Sequence, residues 1–238
     1  MMNLLAVDTA TEACSAALSI DGRVLTRFDV AGRTHTEQLM PMVLGLMAEA
    51  GISFTQLDAY VCGVGPGSFA GVRIGVGYVK GLALAVERPV LGVSSLAMVA
   101  VPALRADPQA RVITAIDARM DEIYLAQYRG DVHGQPELIA AEQVCSPQRA
   151  SIERIDGGRV VGVGTGWQRY SAELQRALQI QPEQIDAQAL PMAESAIHIA
   201  LPVLKLGGGL NADDLQPVYL RNKVALTLVE QQANRRKP

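Results

Sequence analysis

The stretch GVGPGSFAGVRIGVGYVKG, Gly63 to Gly81, places seven glycines in nineteen residues, where the apolar run AYVCGVG gives way to a helical pattern. No other feature constrains the fold as tightly. An uninterrupted apolar strand is buried on both faces, so it belongs inside a sheet covered by helices. Glycines at the start of the next helix permit positive φ and close backbone approach. Two phosphate-binding devices share this outline. The Walker A loop, G-x-x-x-x-G-K-[ST], needs its lysine for the phosphates and its hydroxyl for magnesium, but Gly71 is followed by Val72-Arg73 and no spacing restores the match. Gly65-Pro66-Gly67-Ser68-Phe69-Ala70 does satisfy the dinucleotide pattern G-x-G-x-x-A. The acid that should follow roughly 20 residues on, at the end of the next strand, is missing, because VLGV ends in Ser94-Ser95. The expectation is therefore a tight helix start whose N–H groups hold an anion only weakly.

Around this junction the pattern is that of an α/β protein. NLLAVDTA, SAALSI and RVLTRFDV read as three strands, with a hairpin signal at Asp21-Gly22. Thr36 to Ala50 is helical and Gly51 is placed to cap it. A second helix runs from about Val72 to Glu87, Arg88-Pro89 breaks it, and VLGVS forms a fifth strand. The order β-β-β-α-β-α-β describes an antiparallel opening followed by alternating units. A boundary lies around Ala103 to Gln109, where PALRADPQA turns polar, and divides the chain into units 1–105 and 106–238. In the second, sparser α/β unit, RVITAID, EIYLAQYR and RVVGVG read as strands. SPQRASIERI, Trp167 to Leu178 and Ala193 to Leu206 read as helices, and PVYLRNKVA leads into a polar basic tail.

Composition excludes several classes. Hydrophobic residues make up 49% of the 238, yet no apolar run reaches the roughly 18 to 20 residues a spanning helix needs. MMNLLAVDTATEAC has no basic leader, and Asp8 interrupts its apolar stretch, so a cytoplasmic location is expected. Cys14, Cys62 and Cys145 are odd in number and far apart, which suits core thiols better than disulfides or a metal site. Net charge is −3, the only dense basic cluster is Arg235, Arg236 and Lys237, and aromatic residues are 4% of the chain. Independent nucleic-acid binding, which draws on many phosphate contacts and on stacking, is not expected.

GPGSFAGVRIG, together with AVDTAT near the start, RTHTEQLMP at Arg33 to Pro41, DARMDEIY at Asp117 to Tyr124 and PVYLRN at Pro217 to Asn222, resembles the bacterial TsaB (YeaZ) family nearly end to end. The resemblance implies an actin-like, sugar-kinase-like fold of two ribonuclease H-like domains, the second reduced. It implies a non-catalytic paralogue of TsaD that, with TsaD and the ATPase TsaE, supports transfer of threonylcarbamoyl to the adenosine following the anticodon of tRNA. The partners would then be a TsaD-like paralogue and a TsaE-like ATPase, with tRNA met only through the complex and a homodimer possible in isolation. No cofactor, catalytic residue or metal ligand of its own is expected. Asp8, with Thr9 and Thr11, stands where an actin-like first-strand acid would lie, but Asp117 is followed by Ala118-Arg119 rather than a glycine. His35, His133 and His198 are isolated in sequence and cannot form the H-x-x-x-H pair of TsaD-like proteins. His35 reads as a hydrogen-bonding residue at a helix start. H-E-x-x-H is absent and no serine or cysteine has a nucleophile-elbow context, so proteolysis is not expected. The rival reading is a nucleotide-dependent small-molecule kinase of the same fold, using Asp8 and the glycine loop.

The two helices carry more apolar surface than a sheet needs. On the first, Leu39, Met42, Val43, Leu46 and Ala50 form one stripe, and Met40, Leu44 and Met47 extend it around the circumference. On the second, Gly77 and Gly81 lie beside Leu84, with Arg73 and Lys80 rimming the same face. Met40, Leu44, Met47, Arg73, Gly77, Lys80, Gly81 and Leu84 are accordingly expected to meet the partner.

Overall fold

A computed structural model describes residues 2–30, 32, 34–153, 159–180 and 184–221. Strands β1 (Leu4–Asp8), β2 (Ala13–Ile20) and β3 (Arg23–Val30) form an antiparallel meander, with Leu5 facing Leu18 and Ala17 facing Thr26. Strands β4 (Ala59–Gly65) and β5 (Val90–Ser94) add to the other side of β1 in parallel, giving the order β3-β2-β1-β4-β5. The second sheet repeats this plan. Strands β6 (Arg111–Arg119), β7 (Glu122–Gly130) and β8 (Pro136–Cys145) are antiparallel, while β9 (Val160–Val163) and β10 (Ile185–Asp186) extend β6 in parallel, in the order β10-β9-β6-β7-β8.

The period-two alternation of β1 sets the layers. Leu5 and Val7 point to the outer face, where helices α1 (His35–Ala50) and α2 (Phe69–Val86) bury Leu39, Val43, Leu46, Val72, Val76 and Val79. Leu4 and Ala6 point the other way, onto α5 (Ala193–Lys205), through Ala196, Ile197 and Ala200. Helix α3 (Ser95–Ala106) rests beside α5 and covers one face of the second sheet with Leu96, Val99, Ala100 and Leu104. Helix α4 (Thr165–Leu178) closes the other face through Trp167 and Leu174. The molecule is thus two sheets with α3 and α5 between them and helices outside.

Several expectations need correction. Helix α3 was not foreseen, and the expected boundary at Ala103 to Gln109 begins inside it. Strand β8 was also missed, because it is half-exposed with register shifts against β7 that erase its alternation. SPQRASIERI makes only a 3₁₀ turn, Pro147–Arg149, since Ala150 leaves it with extended backbone at φ −57° and ψ 128°; residues 154–158 lie outside the described residues. Helix α5, which the division at 105/106 assigned to the second unit, packs on the first sheet, and Ser15 Oγ accepts a hydrogen bond from Ala193 N at 3.0 Å. Finally, α2 reaches 18 residues at mean hydropathy 1.4, long and apolar enough by those measures to cross a membrane, although it carries Arg73 and Lys80 and buries Val72, Val76 and Val79 on the sheet.

Candidate functional site

The glycine-rich junction folds into a packing seam. Ser68 ends the loop after β4 and its Oγ accepts from Gly71 N, capping α2. The start of α2 presses on the turn after β1, where Ser68 N donates to Ala10 O at 2.6 Å and Thr9 Oγ1 donates to Gly71 O at 2.7 Å. A Cβ on Gly67 would lie 2.1 Å from Ala10 O, one on Gly71 2.1 Å from Thr9 O, and one on Gly75 2.7 Å from Thr9 Oγ1. Gly71 and Gly75, four apart, therefore make one helix face flat enough to lie against Thr9, and Gly67 in the preceding loop does the same against Ala10. A Cβ on Gly77 or Gly81, on another face, would meet no atom beyond its own helix within 4 Å among the described residues.

Asp8 ends β1 fully buried. Its Oδ1 accepts from Ala10 N at 3.2 Å, its Oδ2 has no hydrogen-bond partner among the described residues, and a Cβ on Gly63 would lie 1.8 Å from that oxygen. Burial pushes the carboxyl from 3.8 up to about 7, against a smaller lowering by the Ala10 hydrogen bond. Folding thus favours the protonated acid. The resulting stability is complete below about pH 4 and is lost as pH rises through about 7. A shift of about 3 units corresponds to roughly 4 kcal/mol at most. Urea unfolding of Asp8→Asn should lack the fall in stability that the parent shows between pH 4 and 7. Parallel curves for the two proteins would contradict this account.

Between the lobes lies a cleft of about 570 Å³, lined among others by Thr11, Glu12, His35, Ser68, Ala70, Asp117 and Arg119. Asp8 is not in its wall. Asp117 is, but Arg119 and Arg169 both contact its Oδ2, at 2.8 and 3.1 Å. Neither acid offers the free carboxylate pair that would hold a magnesium–nucleotide complex. Among the described residues no group of three or more His, Cys, Asp and Glu is placed to hold a metal ion. His35 is buried at the start of α1, where its Nε2–H faces Thr11 O at 2.9 Å and Ala13 O at 3.2 Å, the helix-start role expected of it. His198 lies against Gln135 and His133 is exposed on the β7–β8 loop. Cys14 and Cys62 are buried and unpaired, and desolvation raises both thiols, Cys14 to about 11.

The expected partner residues separate into groups. Met40, Leu44 and Leu84 are 54%, 49% and 51% exposed on the outer helices, with Gly77 and Gly81 open beside Leu84. Met47 is a correction, because at 5% exposure it belongs to the core. The buried positions Leu39, Val43, Leu46 and Met47 follow the i, i+4, i+7, i+8 spacing of a single stripe, which turns Met47 inward. Arg73 and Lys80 are engaged within the chain. Arg73 Nε donates to Tyr219 OH at 2.8 Å while its guanidinium lies 3.7 Å over the Phe69 ring, and Lys80 Nζ donates to Asp213 O at 2.9 Å. Phe69 and Tyr219 were not singled out from the sequence. Their only signal was that they sit within GPGSFAGVRIG and PVYLRN.

Two lobes built on one ribonuclease H-like plan about a central cleft define a protein of the actin-like class. A family model described as TsaD, tRNA N6-adenosine threonylcarbamoyltransferase, matches residues 29–187. The chain is 42% identical over 227 residues to the tRNA threonylcarbamoyladenosine biosynthesis protein TsaB of Escherichia coli K12, covering 94% of this chain and 96% of that one. It is 38% identical over 230 residues to the protein of the same description from Haemophilus influenzae, covering 94% and 95%. The solved structure of YeaZ from Pseudomonas aeruginosa matches with TM-score 0.84 at 42% identity, over 92% of this chain and all of that one. The chain belongs to the TsaB (YeaZ) family.

Proposed function

We propose that the chain is a non-catalytic subunit in the synthesis of threonylcarbamoyladenosine on tRNA. Near full-length identity of 42% to a protein of that pathway carries the assignment. In this reading it works in the cytoplasm with a TsaD-like catalytic paralogue and a TsaE-like ATPase, and meets tRNA through the assembly. The exposed apolar residues Met40, Leu44 and Leu84, with Gly77 and Gly81 allowing close backbone approach, form the docking face for the paralogue. A subunit without its own chemistry also fits an Asp8 sealed beneath Gly63 and an Asp117 held by two guanidinium groups. The rival, a nucleotide-dependent kinase, would need one of those acids free. Cells depleted of the protein should lack threonylcarbamoyladenosine in digested tRNA, read by mass spectrometry. Normal levels of the nucleoside, or turnover of ATP with magnesium by the purified chain, would overturn the proposal.

A further inference from the structure

We infer that the segment Pro217–Arg221 is a strap that limits how far the interlobe cleft opens, a property independent of the proposed pathway. The segment has no regular secondary structure, yet it is fastened at both ends. Leu215, just before it, is buried in the core of the first lobe. Val218 N then donates to Val64 O at 2.8 Å at the end of β4, and the Tyr219 ring lies 5.5 Å from Phe69 while its hydroxyl accepts from Arg73. The contacts of Leu220 and Arg221 belong to the second lobe. Leu220 packs on the cluster of α3 and β6–β7 residues that includes Tyr124. Arg221 grips the β6–β7 hairpin, donating to Glu122 Oε2 from Nε at 3.0 Å and Nη2 at 2.6 Å, and from Nη2 to Arg119 O at 3.2 Å.

The hairpin it grips is unusual, because Arg119, Met120 and Asp121 all take positive φ, 60°, 56° and 57°, without a glycine among them. Such a turn is held by its surroundings, and the Arg221 guanidinium on Arg119 O is part of them. Tyr219 and Arg221 are two residues apart, so their Cα atoms cannot separate by more than about 7 Å. With one fixed to α2 and the other to the hairpin, the two sides of the cleft are tethered over that length. A small cavity of about 80 Å³ under the strap, lined by Gly67, Phe69, Val72, Tyr124, Tyr219 and Arg221, shares Gly67, Phe69 and Tyr124 with the main cleft.

Nitroxide labels at Thr36→Cys and Gln168→Cys in the full chain report the opening. Thr36 adjoins His35 on one wall, and Gln168 adjoins Arg169, which binds Asp117 on the other. Cys145→Ser provides the background, since Cys14 and Cys62 are buried. Double electron–electron resonance should give one narrow distance distribution in the parent. Arg221→Ala, which removes the grip on the hairpin, and Tyr219→Ala, which removes the contacts with Phe69 and Arg73, weaken opposite ends and should each shift it to longer and broader distances. Arg129→Ala, which removes the Arg129–Glu137 pair within the second lobe, should leave it unchanged. Circular dichroism shows which variants are folded, and either strap variant alone suffices for the reading. An unchanged distribution in a folded strap variant, or the same broadening in Arg129→Ala, overturns the inference.

Discussion

Leu44→Arg is expected to abolish pairing with a TsaD-like partner while leaving the chain folded. Leu44 is 49% exposed on α1, so in the free chain an arginine there keeps its charge in water. Covered by a partner, the same guanidinium would be desolvated without a counter-charge, at a cost of several kcal/mol. That is enough to weaken a complex of ~1 μM affinity by orders of magnitude. The matched variant is Leu46→Arg, two residues along and wholly buried, where the charge enters the core between α1 and the sheet and should unfold the lobe. Thermal melts followed by size-exclusion mixing with the partner distinguish the outcomes. A folded Leu44→Arg protein that still pairs would remove this face from the proposed interface.

The second large effect comes from two glycines of one helix. Gly71→Ala should destabilise the chain by roughly 3 kcal/mol or more, since its methyl would sit 2.1 Å from a backbone oxygen. Relief of that clash also breaks the Thr9–Gly71 and Ser68–Ala10 hydrogen bonds, worth about 1 kcal/mol each. Gly77→Ala, six residues on and facing open space, should stabilise by about 0.5–1 kcal/mol, the ordinary gain from removing a glycine inside a helix. Thermal melts of the two single variants suffice. If Gly71→Ala melts with the parent, the seam tolerates movement and the account of the glycine stretch fails.

Much of the fold was legible wherever one periodicity dominated. The first five strands and the two outer helices announced themselves, because each meets the core on a defined face and is punctuated by Asp21-Gly22, Gly51 or Pro89. Helix α3 was hidden by being buried on two sides at once, against α5 and the second sheet, which leaves SLAMVAVPAL with no polar stripe to mark a period. The equivalence of the two sheets came from the family resemblance and not from local pattern, because it resides in strand order and not in repeated residues. At the candidate site, single-helix geometry placed Met40, Leu44 and Leu84 outward but misjudged Met47 at the edge of the stripe. The engagement of Arg73 by Tyr219 and of Lys80 by Asp213 joins residues 146 and 133 positions apart, a distance that local pattern cannot bridge.

The place of α5 on the first sheet also sets an order of events during synthesis. The inner face of that sheet, Leu4, Ala6, Ala17, Val61 and Val93, is complete once β5 has been made, but the helix that covers it does not exist until Ala193–Lys205 has left the ribosome. The stretch from Ala106 to Ala193 must be translated in between, which at ordinary elongation rates takes on the order of ten seconds. During that interval the nascent first lobe presents a bare apolar sheet, a surface on which a chaperone can act before the last helix seals it.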